Sequence, residues 1–256
     1  MIYKNRRFRH IIPLRGYLRP LCAVIALACT TMTSFPIAAE DLPPVQSEGL
    51  TPDQSIWYAM SLEDRNWLQR LVTNGANLNT IEPLSGMTPL MAAETYELAL
   101  ILVQGGANVA SRDVYGRTPL HYAVQMRDAE RIIPLFIGRG ADANAQAEDG
   151  LRTTPLLAVI EHSFDDPDKK HAIKIIRLLV SLGAQPDMKS HDGQTALSIA
   201  ATRGDASLVS ALIELGADPA ARVTGGETLL DRARKRGEPD IVAVLSRALA
   251  SKRRAQ

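Results

Sequence analysis

The sequence predicts an all-α solenoid of about six helix–turn–helix units with β-turn connections, and three observations predict it. A Gly-Ala pair recurs at Gly75-Ala76, Gly106-Ala107, Gly140-Ala141, Gly183-Ala184 and Gly216-Ala217, in steps of 31, 34, 43 and 33 residues. A Gly-x-Thr opening recurs at Gly86/Thr88, Gly116/Thr118, Gly193/Thr195 and Gly226/Thr228, while Thr154-Pro155-Leu156 opens the remaining unit after a longer turn. Opening and closing enclose two stretches with apolar residues at helical spacing, as in Leu197, Ile199, Ala200 and Ala201, then Leu208, Val209, Leu212 and Ile213. A unit of roughly 33 residues cannot bury its apolar face alone, so neighbours must stack on one continuous core in an elongated domain.

Residues 1–39 stand outside this pattern. Lys4, Arg6, Arg7, Arg9, Arg15 and Arg19 occur with no acidic residue, Leu21 to Ala28 is an unbroken apolar run, and Pro36-Ile37-Ala38-Ala39 precedes Glu40-Asp41. This is the layout of a cleaved secretory signal, and the expected fate is export, to the periplasm in a bacterium or beyond it. The span from Leu21 to Ala39 carries no charge, but Thr30, Thr31, Thr33, Ser34 and Pro36 make a poor membrane helix, so an uncleaved anchor is the second reading. Arg6-Arg7-Phe8 echoes a twin-arginine signal, and Cys29 after Ala26-Leu27-Ala28 echoes a lipoprotein signal. A membrane is therefore a partner only if the segment is uncleaved or Cys29 is lipidated. Residues 40–50, with Pro43-Pro44, Ser47 and Gly49, read as a linker.

The repeat domain then runs over 51–249, in units of about 51–79, 80–110, 111–144, 145–188, 189–220 and 221–249, followed by a basic tail at 250–256. The first unit has Ile56, Ala59, Met60, Leu68 and Leu71 but no Gly-x-Thr opening, as expected of an N-terminal cap. The second is short between Thr88 and Gly106, so its first helix or the following loop is clipped. In the third, Pro134 falls inside the second helix and is expected to kink it or shift its start. The fourth carries an insertion, EHSFDDPDKKHA, between Ile160 and Ile173. The fifth opens with Asp192-Gly193 and an N-cap threonine, Thr195, and turns again at Gly204-Asp205. The sixth has a charged first helix, which suits a C-terminal cap with no neighbour to cover it.

Three units spell Thr-Pro-Leu, at Thr88, Thr118 and Thr154, and proline suits the first helical position, where its missing amide would have no partner. Thr118-Pro119-Leu120-His121-Tyr122-Ala123 and Gly140-Ala141-Asp142-Ala143-Asn144 resemble the opening and closing motifs of the ankyrin repeat family. The resemblance covers about residues 50–249. It implies a concave face of turn tips and first helices that binds proteins, and a structural role for His121, whose counterpart braces the turn by hydrogen bonding.

Charge and cysteine usage exclude several functions. The chain has 29 basic and 28 acidic residues; residues 1–39 hold six of the basic ones, which leaves 23 against 28 for the remainder. An acidic body is a poor match for nucleic acid. The excess is uneven: residues 222–256 carry nine basic and four acidic side chains, among them Arg232, Arg234, Lys235, Arg236 and the Lys252-Arg253-Arg254 run, which read as a solvated cap and a frayed tail. Both cysteines, Cys22 and Cys29, lie in the signal, so a mature chain has no disulfide and no Cys-based zinc site. Glu161, His162, Asp165, Asp166, Asp168 and His171 follow no metal-ligand spacing, and the insertion reads as a contact loop. GAQPDMKS at Gly183 to Ser190 has Met188 where a phosphate loop needs glycine, and no nucleophile motif occurs. No catalytic residue, cofactor or metal is assigned.

The expected function is non-enzymatic: a protein-binding scaffold or modulator of a cell-envelope protein, with an inhibitor or immunity protein for a toxic enzyme, or a secreted effector acting on host proteins, as alternatives. Residues free of folding duty in the repeat are the candidate partner contacts: Ser85, Met87, Val114, Tyr115, Arg117, Gln125, Met126, His191 and Gln194. Tyr115 and Arg117 lead, since tyrosine and arginine carry a large share of interface energy.

Overall fold

The computed structural model describes residues 51–163, 169–223 and 225–254. The signal and linker readings for residues 1–50 lie outside the described residues, as do Asp165, Asp166 and Asp168. The chain divides into two compact units, residues 1–77 and 78–256.

The N-terminal unit presents two helices, α1 (Pro52–Ser61) and α2 (Arg65–Thr73). Thr51 and Gln54 form a reciprocal cap on α1: Thr51 Oγ1 accepts from the Gln54 amide at 3.2 Å and Gln54 Oε1 from the Thr51 amide at 2.9 Å. Asp64 caps α2 by accepting from the Trp67 amide at 2.9 Å. Tyr58 and Trp67 meet edge to face with centroids 5.6 Å apart, which joins the two helices.

The second unit is all helical among its described residues. Its first helices are a 3-10 turn at Pro89–Ala92, α4 (Pro119–Ala123), α6 (Pro155–His162), α8 (Ala196–Thr202) and α10 (Leu229–Arg236). Its second helices are α3 (Tyr96–Gln104), α5 (Ala129–Ile137), α7 (Lys169–Ser181), α9 (Ala206–Glu214) and α11 (Pro239–Arg254). Each first helix packs on the second helix of its own repeat and on the first helices before and after it, and the second helices pack in a parallel row. The core lies between the rows: Leu90, Leu120, Leu156 and Leu197 from the first helices, and Leu102, Phe136, Ile176 and Leu212 from the second, are all buried. Alanines such as Ala123 and Ala200, also buried, let the helices approach closely.

The irregular repeats have local causes. Ten residues separate the N-cap threonine of the first helix from the N-cap aspartate of the second in Thr118/Asp128 and Thr195/Asp205, but only seven separate Thr88 from Thr95. Three residues too few remain for a helical turn and its loop, so the first helix closes as a four-residue 3-10 turn. Pro134 neither breaks α5 nor moves its start. The helix runs from Ala129 to Ile137, nine residues, the same length as α9. Proline cannot donate the amide bond of that position. At the C-terminus the expected frayed tail is instead helical to Arg254, and Lys252 Nζ lies 2.7 Å from Asp218 Oδ1.

Candidate functional site

Between repeats the chain folds into short turns, each closed by its own backbone. Glu82 donates to Met87 O, Asp113 to Arg117 O, Ala147 to Thr153 O, Ser190 to Gln194 O and Val223 to Glu227 O, at 2.8–3.1 Å. A side chain near the start of most turns then fastens it from within. Glu82 Oε2 accepts from the Leu84 and Ser85 amides and the Ser85 hydroxyl, and these bonds hold its carboxyl below the usual range against the opposing effect of burial. Asp113 Oδ1 accepts from the Tyr115 and Arg117 amides at 2.9 and 2.8 Å, and Asp149 Oδ1 from the Leu151 and Thr153 amides at 3.0 and 3.4 Å. Ser190 Oγ accepts from the Gln194 amide at 3.1 Å.

Successive turns are also tied to one another. The Val114 amide donates to Ser85 O at 3.0 Å, Glu148 to Tyr115 O at 2.7 Å, and His191 to Leu151 O at 2.7 Å. At the third turn the chain approaches its neighbour so closely that Gly116, at φ +70°, has no room for a side chain: a Cβ there would lie 2.6 Å from the Glu148 amide nitrogen. The turns of the second to fifth repeats therefore form one continuous row.

His121 pins this row to the helices. Its Nδ1 faces the Thr118 amide at 3.0 Å and its Nε2 faces Thr153 O at 3.0 Å. An amide can only donate and a carbonyl only accept, so Nδ1 is the acceptor and Nε2 carries the proton. Burial holds the imidazole pKa below its ordinary value, with the Arg117 charge acting in the same direction and the Thr153 bond, Asp149 and Asp113 opposing. The bracing role expected of His121 is what the geometry shows.

The sequence-nominated contacts fall into three groups. Val114 and Tyr115 stand out from the third turn, 59% and 52% exposed, and the Arg117 guanidinium covers the Tyr115 ring at 5.1 Å while lying 4.0 Å from Asp149. Ser85 and Met87, on the neighbouring turn, are half-buried, and Gln125 and His191 are exposed on the C-terminal side of α4 and on the fifth turn. Gln194 is half-buried, with its amide held by Ser190. Met126 must be corrected: it is only 5% exposed, packed between α4 and α5, and is a core residue rather than a contact. It was nominated as free of folding duty in the repeat, but the Ala129 amide bonds back to Met126 O and the side chain is buried.

Sequence reasoning missed Tyr122, Asp149 and Glu161. The Tyr122 hydroxyl donates to Asp113 Oδ2 at 2.5 Å, and burial, followed by that bond, pushes its pKa upward. Glu161, at the end of α6, is half-buried, and burial raises its carboxyl pKa, with Arg203 the first charge to oppose. An acid five or six residues ahead of each Thr-Pro-Leu, at Glu82, Asp113 and Asp149, was the available signal for the turn braces. Glu161 was marked only as part of the insertion, not for its burial.

The basic C-terminal end is largely neutralised at home. Lys235 and Arg232 reach Glu227 at 2.7 and 3.4 Å, and Arg236 reaches Glu238 at 2.8 Å. Among the described residues no group of three or more His, Cys, Asp or Glu is placed to hold a metal ion. No helix among them is long and apolar enough to cross a membrane.

Comparison with known proteins fits this architecture. The family model for ankyrin repeats, three copies, matches residues 56–164 and 168–254. The neurogenic locus notch homolog protein 1 of Danio rerio is 31% identical over 134 residues, 51% of this chain and 5% of that protein. The chain spans 12% or less of the length of each of the first three curated relatives. Among solved structures, an ankyrin repeat domain from Acinetobacter baumannii aligns with a TM-score of 0.64 at 24% identity, over 75% of this chain and 96% of that one. A chain of the complex between a predatory endopeptidase of Bdellovibrio bacteriovorus and an immunity protein aligns with a TM-score of 0.59 at 26% identity, over 75% of this chain and 97% of that one.

Proposed function

This chain belongs to the ankyrin repeat family, whose repeats are protein-interaction scaffolds, and from that membership we propose that it is a non-enzymatic module exported to the cell envelope to bind and modulate one protein there. The observation that carries the reading is the turn row. Its backbone is tied within each turn and from turn to turn, while Val114, Tyr115 and His191 project from it, and Gln125 from the end of α4, with no part in the core. A rigid scaffold that presents free side chains binds without a large ordering cost. Export rests on the basic, apolar and small-residue succession in residues 1–39.

A second reading, an inhibitor or immunity protein that covers a toxic enzyme, is favoured by one observation. Of the solved structures compared, the one from the endopeptidase–immunity protein complex is the more similar in sequence, and it is covered over 97% of its chain. Binding by occlusion needs no catalytic group on the binder, which agrees with a surface of braces and contacts.

The test is in-cell crosslinking followed by affinity capture of the full chain, beside a control carrying Tyr115→Ala and Arg117→Ala. The expected result is one dominant envelope protein, lost in the control; no specific protein in either arm would end the binding-module reading. If the captured protein is a hydrolase, a one-to-one complex that abolishes its activity decides for the inhibitor, and an active complex decides for the scaffold. Sequencing the N-terminus of the recovered chain tests cleavage: a start near Glu40 supports export behind a cleaved signal, whereas a start at Met1 overturns the cleaved signal. Fractionation of that chain with the membrane or the cytosol then decides between an uncleaved anchor and no export.

A further inference from the structure

Several carboxylates near the first helices are engaged within the fold. Asp113 and Asp149 accept from the amides of their own turns, Asp205 from the Leu208 amide at 3.0 Å, and Glu227 pairs with Lys235 at 2.7 Å. Glu161 differs from them. It is half-buried at the end of α6, yet it has neither a hydrogen bond nor an ion pair among the described residues. Burial raises its carboxyl pKa, and Arg203 opposes this through its charge alone, without pairing. A half-buried carboxylate that no donor reaches costs the fold and calls for an explanation.

The repeat itself does not supply one. Counted from the threonine that opens each first helix, Glu161 stands where α4 has Gln125, α8 has Thr202 and α10 has Lys235. An amide, a hydroxyl and an ammonium group serve the fold in the same place, so no acid is required there. Neighbouring first helices pack together, so these residues follow one another along the C-terminal edge of the row, where Gln125 is exposed and Thr202 half-buried. Long-range attraction is not the explanation either. The charges that act on Glu161 are Arg203, Asp149 and Arg117, and with Glu161 itself they sum to zero. Arg117 is also held over the Tyr115 ring, 4.0 Å from Asp149. Whatever satisfies Glu161 must therefore do so by direct contact.

We infer that Glu161 receives a lysine or arginine side chain of the bound protein, inserted between the positions of Gln125 and Thr202. A cationic N–H donor both fills the empty acceptor positions of a carboxylate and offsets its loss of hydration, whereas a neutral donor does only the first. The contact works at short range, so it selects a partner without steering it. This deepens the protein-binding reading above and rests on it.

The experiment places a photo-crosslinking amino acid at Gln125 and at Thr202, and separately at Leu84 on the second turn, in the full chain expressed in its source cells. Crosslinked peptides are sequenced, and the captured protein is titrated against wild type and Glu161→Gln. The expected result is capture from Gln125 and Thr202 of a segment that contains a lysine or arginine. Glu161→Gln should weaken binding about tenfold, while its urea midpoint stays at or above that of wild type. Replacing the captured basic residue by glutamine should cause a similar loss, and combining the two changes should add little. A lower urea midpoint for Glu161→Gln would show that the carboxylate is satisfied at home, and additive losses would show that it meets no cation of the partner. Either result overturns the inference, as does a segment without lysine or arginine or capture from Leu84 only, and each leaves the binding module standing. Capture from none of the three positions, with no partner in the whole-chain experiment, removes the module reading as well.

Discussion

Replacing His121 with alanine tests whether one side chain holds neighbouring repeats together. The imidazole is fully enclosed, bonds the Thr118 amide within its own repeat at 3.0 Å and reaches Thr153 O in the next at 3.0 Å. Losing two hydrogen bonds costs about 1 kcal/mol each, and leaving a buried carbonyl or amide without a partner adds about 1 kcal/mol or more, so the change is expected to destabilise by about 3 kcal/mol. Urea unfolding followed by circular dichroism measures it, through the midpoint and slope. A loss under about 1 kcal/mol would mean that the turn row holds its register by backbone bonds alone. The pH dependence gives an independent reading. The folded-state pKa of His121 lies below its ordinary value, so the unfolded chain takes up a proton first as pH falls. Its contribution is complete above about pH 6.5 and is lost progressively as pH falls from there through the folded pKa. Protonation also turns Nδ1 into a donor facing the Thr118 donor. The stability gap between wild type and His121→Ala is expected to narrow below about pH 6.5, and a gap constant down to about pH 5 would refute the lowered folded-state pKa.

Other substitutions address separate parts of the row. Gly116→Ala forces a side chain onto φ +70° and against the Glu148 amide at 2.6 Å, and is expected to destabilise by about 3 kcal/mol, whereas Gly140→Ala, at φ +93° with open space around it, costs about 1 kcal/mol; paired urea midpoints compare them. Tyr122→Phe removes the 2.5 Å bond to Asp113 and is expected to cost about 2 kcal/mol in the same assay. Met126→Ala opens a cavity and is expected to cost about 2–4 kcal/mol with no effect on partner affinity, while the exposed Gln125→Ala stays within about 0.5 kcal/mol of wild type. Thermal scans beside a binding titration separate the two.

The fold was legible because its determinants are local and repeated. Thr118-Pro119-Leu120 encodes an N-cap, a first helical residue and a core residue within three positions, and the structure uses each as such. Even the shortened second repeat followed from counting residues between caps. Pro134 lies inside α5, which runs unbroken from Ala129 to Ile137 with Ile132, Ile133 and Phe136 in the core. The site was less legible for a different reason. Tyr115 and Arg117 lie in one turn and were readable as neighbours, but the Arg203 charge acts on Glu161 across a repeat boundary, 42 positions apart in the sequence. Met126 failed because a residue outside the repeat's motif positions was taken to be free of folding duty, whereas its side chain is buried.

What makes the turn row suitable for recognition is that folding and contact are assigned to different residues. Glu82, Asp113, Asp149 and Ser190 fasten the turns, and backbone bonds align them, so side chains such as Val114 and Tyr115 are under little structural demand. Val114→Ala together with Tyr115→Ala therefore should change stability by no more than about 1 kcal/mol, most of it the lost stacking of Arg117 on the Tyr115 ring. The same pair should weaken binding of the captured partner by roughly thirtyfold, since an anchoring tyrosine at the centre of an interface is worth about 2 kcal/mol. Urea midpoints and a titration on the same preparation decide it. A stability loss above about 2 kcal/mol would show that the tips carry the fold after all, and every loss of binding on mutating them would then have to be read as partial unfolding.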